Sequence, residues 1–195
     1  ATQGMRFTDA HTSSGVCSPT RYTLLTGRYH WRTRLQQGIV QYLEAPLIAP
    51  DRLTIASLAK RHGYHTAAIG KWHLTLAGEY ASGASKARWP LSRGFERYYG
   101  WLGGETNSYY PDLVHDNHPI EPPARPEDGY HLADDLSNRA IQFIQDAKTI
   151  DPDKPFFMYF CPGANHAPHQ PPKEWADKYK GRFDEGYEKI RESIL

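Results

Sequence analysis

"LADDLSNRAIQFIQDAKTIDPDKPFFMYF", residues 132–160, decides the class of fold. Leu136, Ala140, Phe143 and Ile144 recur at helical spacing, so residues 132 to about 147 read as one helix with an apolar stripe. Pro152 breaks the chain, and "PFFMYF" (155–160) follows with apolar side chains at both parities. A short strand with no polar face fits a parallel sheet covered by helices on both sides. The pattern repeats upstream. In "LTIASLAKRHGY" Ile55, Leu58 and Ala59 share a face, Gly63 closes the helix, and "HTAAIG" (65–70) is a short apolar strand. Helix then strand, twice over, gives an α/β fold with a mostly parallel central sheet.

The remaining composition mostly excludes. A chain of 195 residues suits one domain with a real core. Lys and Arg number 23 against 22 Asp and Glu, so there is no basic excess of the kind a nucleic-acid binder carries. Anion chemistry must therefore come from a few placed residues. Two cysteines, Cys17 and Cys161, make neither a disulfide framework nor a Cys-rich zinc site. The longest apolar runs are too short to span a bilayer. The chain opens on "ATQGMRFTDAH", without an initiator Met and with a strand-like "MRFTDAH", as an internal piece of a longer protein would. Residues 78–130 are rich in Gly, Pro, Tyr and Trp and read as long loops with short elements. They either line a pocket, with Trp101, Tyr109, Tyr110 and Asp112 as candidates, or form a surface excursion packed on itself.

Chemistry concentrates in three stretches. In "VCSPTRYTLLTG" Ser18 reads as an N-cap, Pro19 as the first helical residue, Leu24 and Leu25 as an inward face and Gly27 as the stop. Cys17 then lies just outside a helix N-terminus, where free amides and the dipole favour an anion. Arg21 leans back over it from the first turn. The pair makes a reactive site, although a small buried cysteine or an arginine paired to a carboxylate also fits these residues; a phosphatase-type thiolate fits less well, because only three residues separate Cys17 from Arg21. In "GYHTAAIGKWHL" strand alternation points Lys71 and His73 the same way, with Trp72 opposite. An ammonium beside an imidazole suits an anionic substrate, Lys for charge and His for proton transfer. In "CPGANHAPHQPP" (161–172) His166 and His169 follow the second strand directly, at the mouth where open α/β sheets hold ligands. Two histidines alone rarely hold zinc.

These motifs resemble the sulfatase family. Cys17-Ser18-Pro19-Thr20-Arg21, running on through Leu24-Leu25-Thr26-Gly27, is similar to the signature Cys-x-Pro-x-Arg, and "GYHTAAIGKWH" to the second signature ending in Gly-Lys-x-His. "GFERYYGWLGGETNSYYPDL" and "HAPHQPPKEWADKYKG" extend the likeness to nearly the whole chain. The resemblance implies an alkaline-phosphatase-like three-layer α/β sandwich, incomplete here, and hydrolysis of aryl or carbohydrate sulfate monoesters. It implies that a maturation enzyme oxidises Cys17 to Cα-formylglycine, whose hydrated gem-diol attacks sulfur and whose second hydroxyl later expels sulfate. By the same carry-over Arg21 steadies the formylglycine, Lys71 binds sulfate, His73 holds the diol, His166 stands near the ester oxygen, and His169 lines the pocket.

A calcium or magnesium ion is implied too, with the modified Cys17 among its ligands. The family's carboxylate ligands fall outside this chain. Asp134-Asp135 lies on a helix and Asp116-Asn117 precedes His166, so neither pair fits the pattern. The resemblance therefore describes a partial catalytic domain, without its first strand or C-terminal subdomain, that would not turn over substrate by itself. A phosphonate or phosphate ester hydrolase of the same superfamily and an inactive binding remnant are the alternatives. Periplasmic, secreted and cytoplasmic locations are all compatible with it.

Overall fold

The computed structural model describes residues 4–41 and 44–194. Its main elements are α1 (Cys17–Thr26), α2 (Ile55–Arg61), β1 (His65–Lys71), β2 (Arg97–Trp101), β3 (Leu113–His115), β4 (His118–Ile120), α3 (Leu132–Ile150), β5 (Phe156–Cys161), α4 (Lys173–Asp177) and α5 (Tyr187–Ile194). The five strands form one sheet in the order β4-β3-β2-β1-β5. The long ladders, β1 with β2 and β1 with β5, are parallel, and the short β2-β3 and β3-β4 ladders are antiparallel.

Register divides the side chains between two cores. Ala68, Tyr98, Val114 and Tyr159 lie with Tyr22 and Leu25 of α1 and Ala56 of α2. Ile69, Tyr99, Leu113 and Met158 lie with Leu132 and Leu136 of α3. The molecule is therefore helix layer, sheet, helix layer, and β1, β2, β3 and β5 each feed both cores because their side chains alternate, while β4 adds only Ile120 to the α3 side. Asp135, on the α3 side, accepts hydrogen bonds from Tyr99 at 2.6 Å and Tyr130 at 3.1 Å, which locks α3 to β2 with no unpaired buried charge.

The structure corrects several sequence expectations. β5 is parallel to β1 but forms the sheet edge among the described residues. Only Tyr159 of it is buried, and Phe160 is 43% exposed. Apolar composition reports what a strand's faces tolerate, whereas edge or centre depends on which other strands pair with it. In α2 the inward residue is Ala56, while Ile55 and Leu58 are exposed. Two turns are too short for an apolar stripe to set the helix phase. Similarly Leu25 is buried and Leu24 exposed. "MRFTDAH" is not a strand, since nothing among the described residues pairs with it and a strand exists only within a ladder. The start of α1 also differs. Val16 occupies the N-cap position without a side-chain cap, and Cys17 is the first helical residue.

Candidate active site

Three parallel strands deliver their carboxyl ends to one place. β1 ends at Lys71, its register partner Trp101 ends β2, and Cys161 ends β5. β1 can pass between its neighbours only because residue 70 is glycine. Gly70 has φ 100°, and a Cβ there would lie 2.2 Å from the Cys161 carbonyl oxygen. Beyond Lys71 the regular strand stops but the pairing continues, with Trp72 N donating to Trp101 O at 3.0 Å and His73 N to Leu102 O at 3.1 Å. His73 itself is left-handed, φ 55°, a conformation a non-glycine residue keeps only when its surroundings hold it. Simple alternation therefore does not place Lys71 and His73. They sit together because the backbone turns at a pinned position, while Trp72 is buried in the core.

Ser18 supplies another pin. Its hydroxyl does not cap α1. It donates to His73 O at 3.1 Å and accepts from Val40 N at 3.3 Å, tying the helix start to the β1 extension. This anchoring puts Cys17 within reach of the strand end. Lys71 Nζ donates to Cys17 Sγ at 2.9 Å. One turn along α1, Arg21 donates through NH1 to Lys71 O at 2.6 Å and to the Tyr159 hydroxyl at 3.3 Å, and its Nε is buried with no partner among the described residues.

The electrostatics follow from this burial. Lys71 is 4% exposed, and desolvation pushes its pKa down, opposed by the Cys17 hydrogen bond and the Glu105 carboxylate. His73 is 6% exposed, and its pKa falls to about 4, first through burial and then through the charges of Lys71, Arg21 and His166. It is therefore neutral at pH 7, with its Nδ1 buried and unpartnered among the described residues. Beneath these groups Tyr98 donates to Gly70 O at 3.2 Å, and burial raises the pKa of both Tyr98 and Tyr159, so both remain protonated. The result is a small buried centre, cationic and short of acceptors, facing Cys17.

His166 and His169 stand differently. His166, in the loop after β5, is exposed, donates its amide to Gly163 O at 2.9 Å, pairs its ring only with its neighbour's carbonyl (Nδ1 to Ala167 O, 2.7 Å), and lines a small cavity with Trp101, Gly104 and Glu105. Its charge reaches His73. His169 is exposed and lies outside that cavity. The loop is held through Gln170, which accepts from Ser108 N at 2.8 Å and pairs through its carbonyl with His131 at 3.0 Å. Of the loop candidates, Trp101, Tyr110 and Asp112 line a second, open cleft of about 640 Å³, whereas Tyr109 packs edge-on against His131.

Sequence reading missed Gly104 and Glu105. A Cβ on Gly104 would sit 2.9 Å from His73 Cε1, so this glycine lets the β2 loop close over the imidazole and sets Glu105 at the mouth. The Gly103-Gly104 pair at a strand's carboxyl end was the available signal.

No group of three or more His, Cys, Asp or Glu side chains that could hold a metal occurs among the described residues. Asp135 is taken by two phenols, and Asp116 sits in a turn accepting Tyr98 N at 2.9 Å. The groups facing Cys17 are cations and an imidazole. They do not fit a calcium or magnesium ion, which needs several oxygen donors.

Comparison with known proteins agrees with this fold and its motifs. A family model described as Sulfatase matches residues 1–194, and the chain belongs to the sulfatase family. It is 30% identical to the uncharacterized sulfatase YdeN of Escherichia coli K12, over 94% of this chain and 33% of YdeN. It is 28% identical to an arylsulfatase of Klebsiella aerogenes, over 97% of this chain and 41% of that protein. Ps i-CgsB, solved in complex with k-i-k-neocarrahexaose, superposes with a TM-score of 0.70 at 25% identity over 86% of this chain and 39% of its own. A Bacteroides thetaiotaomicron protein of glycosaminoglycan metabolism superposes with a TM-score of 0.67, also at 25% identity, over 90% of this chain and 47% of its own. The sheet and its helix layers are thus part of the alkaline-phosphatase-like fold, and the chain spans about a third of the length of the first relatives it matches.

Proposed function

We propose that this chain carries the nucleophile and the anion-holding half of a sulfate monoester hydrolase acting on aryl or carbohydrate sulfates, with Cys17 as the residue matured to formylglycine. The observation carrying this reading is the buried Lys71 ammonium, 2.9 Å from Cys17 Sγ at a helix start. A hydrated formylglycine at position 17 would supply an oxygen nucleophile toward sulfur. Lys71 holds a sulfate oxygen against position 17 and balances its charge. Arg21 braces the Lys71 backbone and adds a second positive charge, with its Nε–H turned to no protein acceptor among the described residues. Neutral His73 accepts or orients a proton on the attacking side. His166, open to solvent at the mouth, gives a proton to the departing alcohol oxygen as the S–O bond breaks. The metal and its carboxylates, along with the parent protein's turnover, belong to the family resemblance and are not built from these residues.

The test is turnover of 4-nitrophenyl sulfate against 4-nitrophenyl phenylphosphonate by the intact protein, produced where maturation occurs, with Cys17→Ala as the blank. The reading expects faster sulfate hydrolysis, abolished in the Cys17→Ala protein. Preference for the phosphonate moves the function to the phosphonate hydrolases. Turnover of neither ester by protein with a converted Cys17 supports an inert remnant.

A further inference from the structure

The open cleft beside the anion centre has a character that the catalytic groups do not explain. It shares two walls with the cavity holding His166, namely Trp101 and Glu105, and Trp101 is the register partner of Lys71. Glu105 also acts on the Lys71 charge, so these two side chains tie the cleft to the anion centre where a sulfate's alcohol would stand. The cleft's about 640 Å³ is ample for a sugar ring or two. Tyr80 and Tyr110 give it aromatic surface, the usual platform for the C–H faces of a pyranose, against a buried back wall formed by Trp101.

Its charge is one-sided. Glu105, Asp112 and Glu121 line the cleft, no Lys, Arg or His lines it among the described residues, and none of the three carboxylates is in an ion pair there. The molecule thus sets two opposite fields side by side, positive around Cys17 and negative a few residues along, with Glu105 on the boundary and felt by Lys71.

We infer that this cleft is the leaving-group subsite and that Glu105, Asp112 and Glu121 make it a charge filter, accepting a neutral or amine-bearing sugar and rejecting one that carries a second sulfate. The inference rests on the sulfate-ester reading of the same site, and it names which half of the substrate discriminates. One sulfate enters the cationic centre, while another on the leaving sugar meets three solvent-exposed carboxylates along the open cleft.

Binding separates this filter from catalysis. Calorimetry on intact Cys17→Ala protein compares galactose 6-sulfate with galactose 2,6-disulfate, and the monosulfate should bind about tenfold tighter, the size of one or two like-charge contacts near a surface. Replacing the carboxylates with isosteric amides (Glu105→Gln, Asp112→Asn, Glu121→Gln) should bring the two sugars within about twofold, and high salt should narrow the gap in the unsubstituted cleft. Equal binding, tighter disulfate binding, no binding of either, or a preference unmoved by the amides and salt overturns the filter. Failure of the hydrolase reading shows elsewhere, as absent turnover by the matured protein.

Discussion

The two histidine-bearing ends of parallel strands are built in opposite ways. After β1, His73 is 6% exposed, left-handed and fixed by hydrogen bonds from its own amide and to its own carbonyl. After β5, His166 is exposed, its ring bonds only the next residue's carbonyl, and its amide donates to Gly163 O three residues back in the same loop, which is tied down at Gln170. The first end is finished before any ligand arrives, with Lys71, Arg21, Ser18 and Gly104 packed around it. The second leaves its imidazole open to solvent, with His166 lining a small cavity. Holding an anion needs fixed, desolvated charge, while passing a proton to a departing alcohol needs an open approach.

The sharpest way to break this comparison is at Gly70, because the finished end depends on β1 fitting against β5. Gly70→Ala places a Cβ against the Cys161 carbonyl at a φ of 100°, and we expect a loss of roughly 4 kcal/mol or more. Thermal melting should fall by roughly 10 °C, or the protein should fail to accumulate folded. Next in size is Lys71→Met, which keeps the packing and removes the charge. Turnover of a sulfate ester should fall by about 10²–10³, with the melting temperature little changed.

The pH dependence of stability tests His73. Its folded pKa of about 4 lies below the ordinary 6.5, so the unfolded chain binds the proton more readily. The stability it contributes is complete above pH 6.5 and drains away as pH falls toward 4, by roughly 3 kcal/mol in all. Denaturant midpoints measured at pH 7, 5.5 and 4.5 should show this decline, and His73→Gln should flatten it. At the open end, His166→Ala should slow turnover of a poor leaving group by roughly tenfold to a hundredfold and of nitrophenolate much less. His169→Ala, outside the cavity, should change either rate by less than about twofold. Equal losses at 166 and 169 would remove the distinction between the two imidazoles.

Legibility in the sequence followed locality. The α3 stripe, the "HTAAIG" strand and the two motifs around Cys17 and Lys71 are written in adjacent residues. The edge position of β5 is not, because the same apolar hexapeptide suits a centre or an edge and only pairing decides. Ser18 has the side chain of an N-cap, yet its hydroxyl goes to His73 O, 55 positions away in the chain. Ala56 turns inward ahead of Ile55 and Leu58 because α2's neighbours, rather than its own pattern, set its phase. Glu105 was invisible for the same reason, since its meaning comes from Lys71 across the β1-β2 ladder. The site's reactive groups were recognisable as types, and the positions that aim them were not.

The account stands on Cys17 being a precursor aldehyde held under Lys71, not a working thiol. The direct measurement is the mass of the Cys17 peptide from protein made in its native host. We predict a peptide lighter than its sequence by one sulfur and two hydrogens and heavier by one oxygen, as conversion to formylglycine requires. A Cys17 peptide of unchanged mass, from protein that hydrolyses sulfate esters, would contradict it.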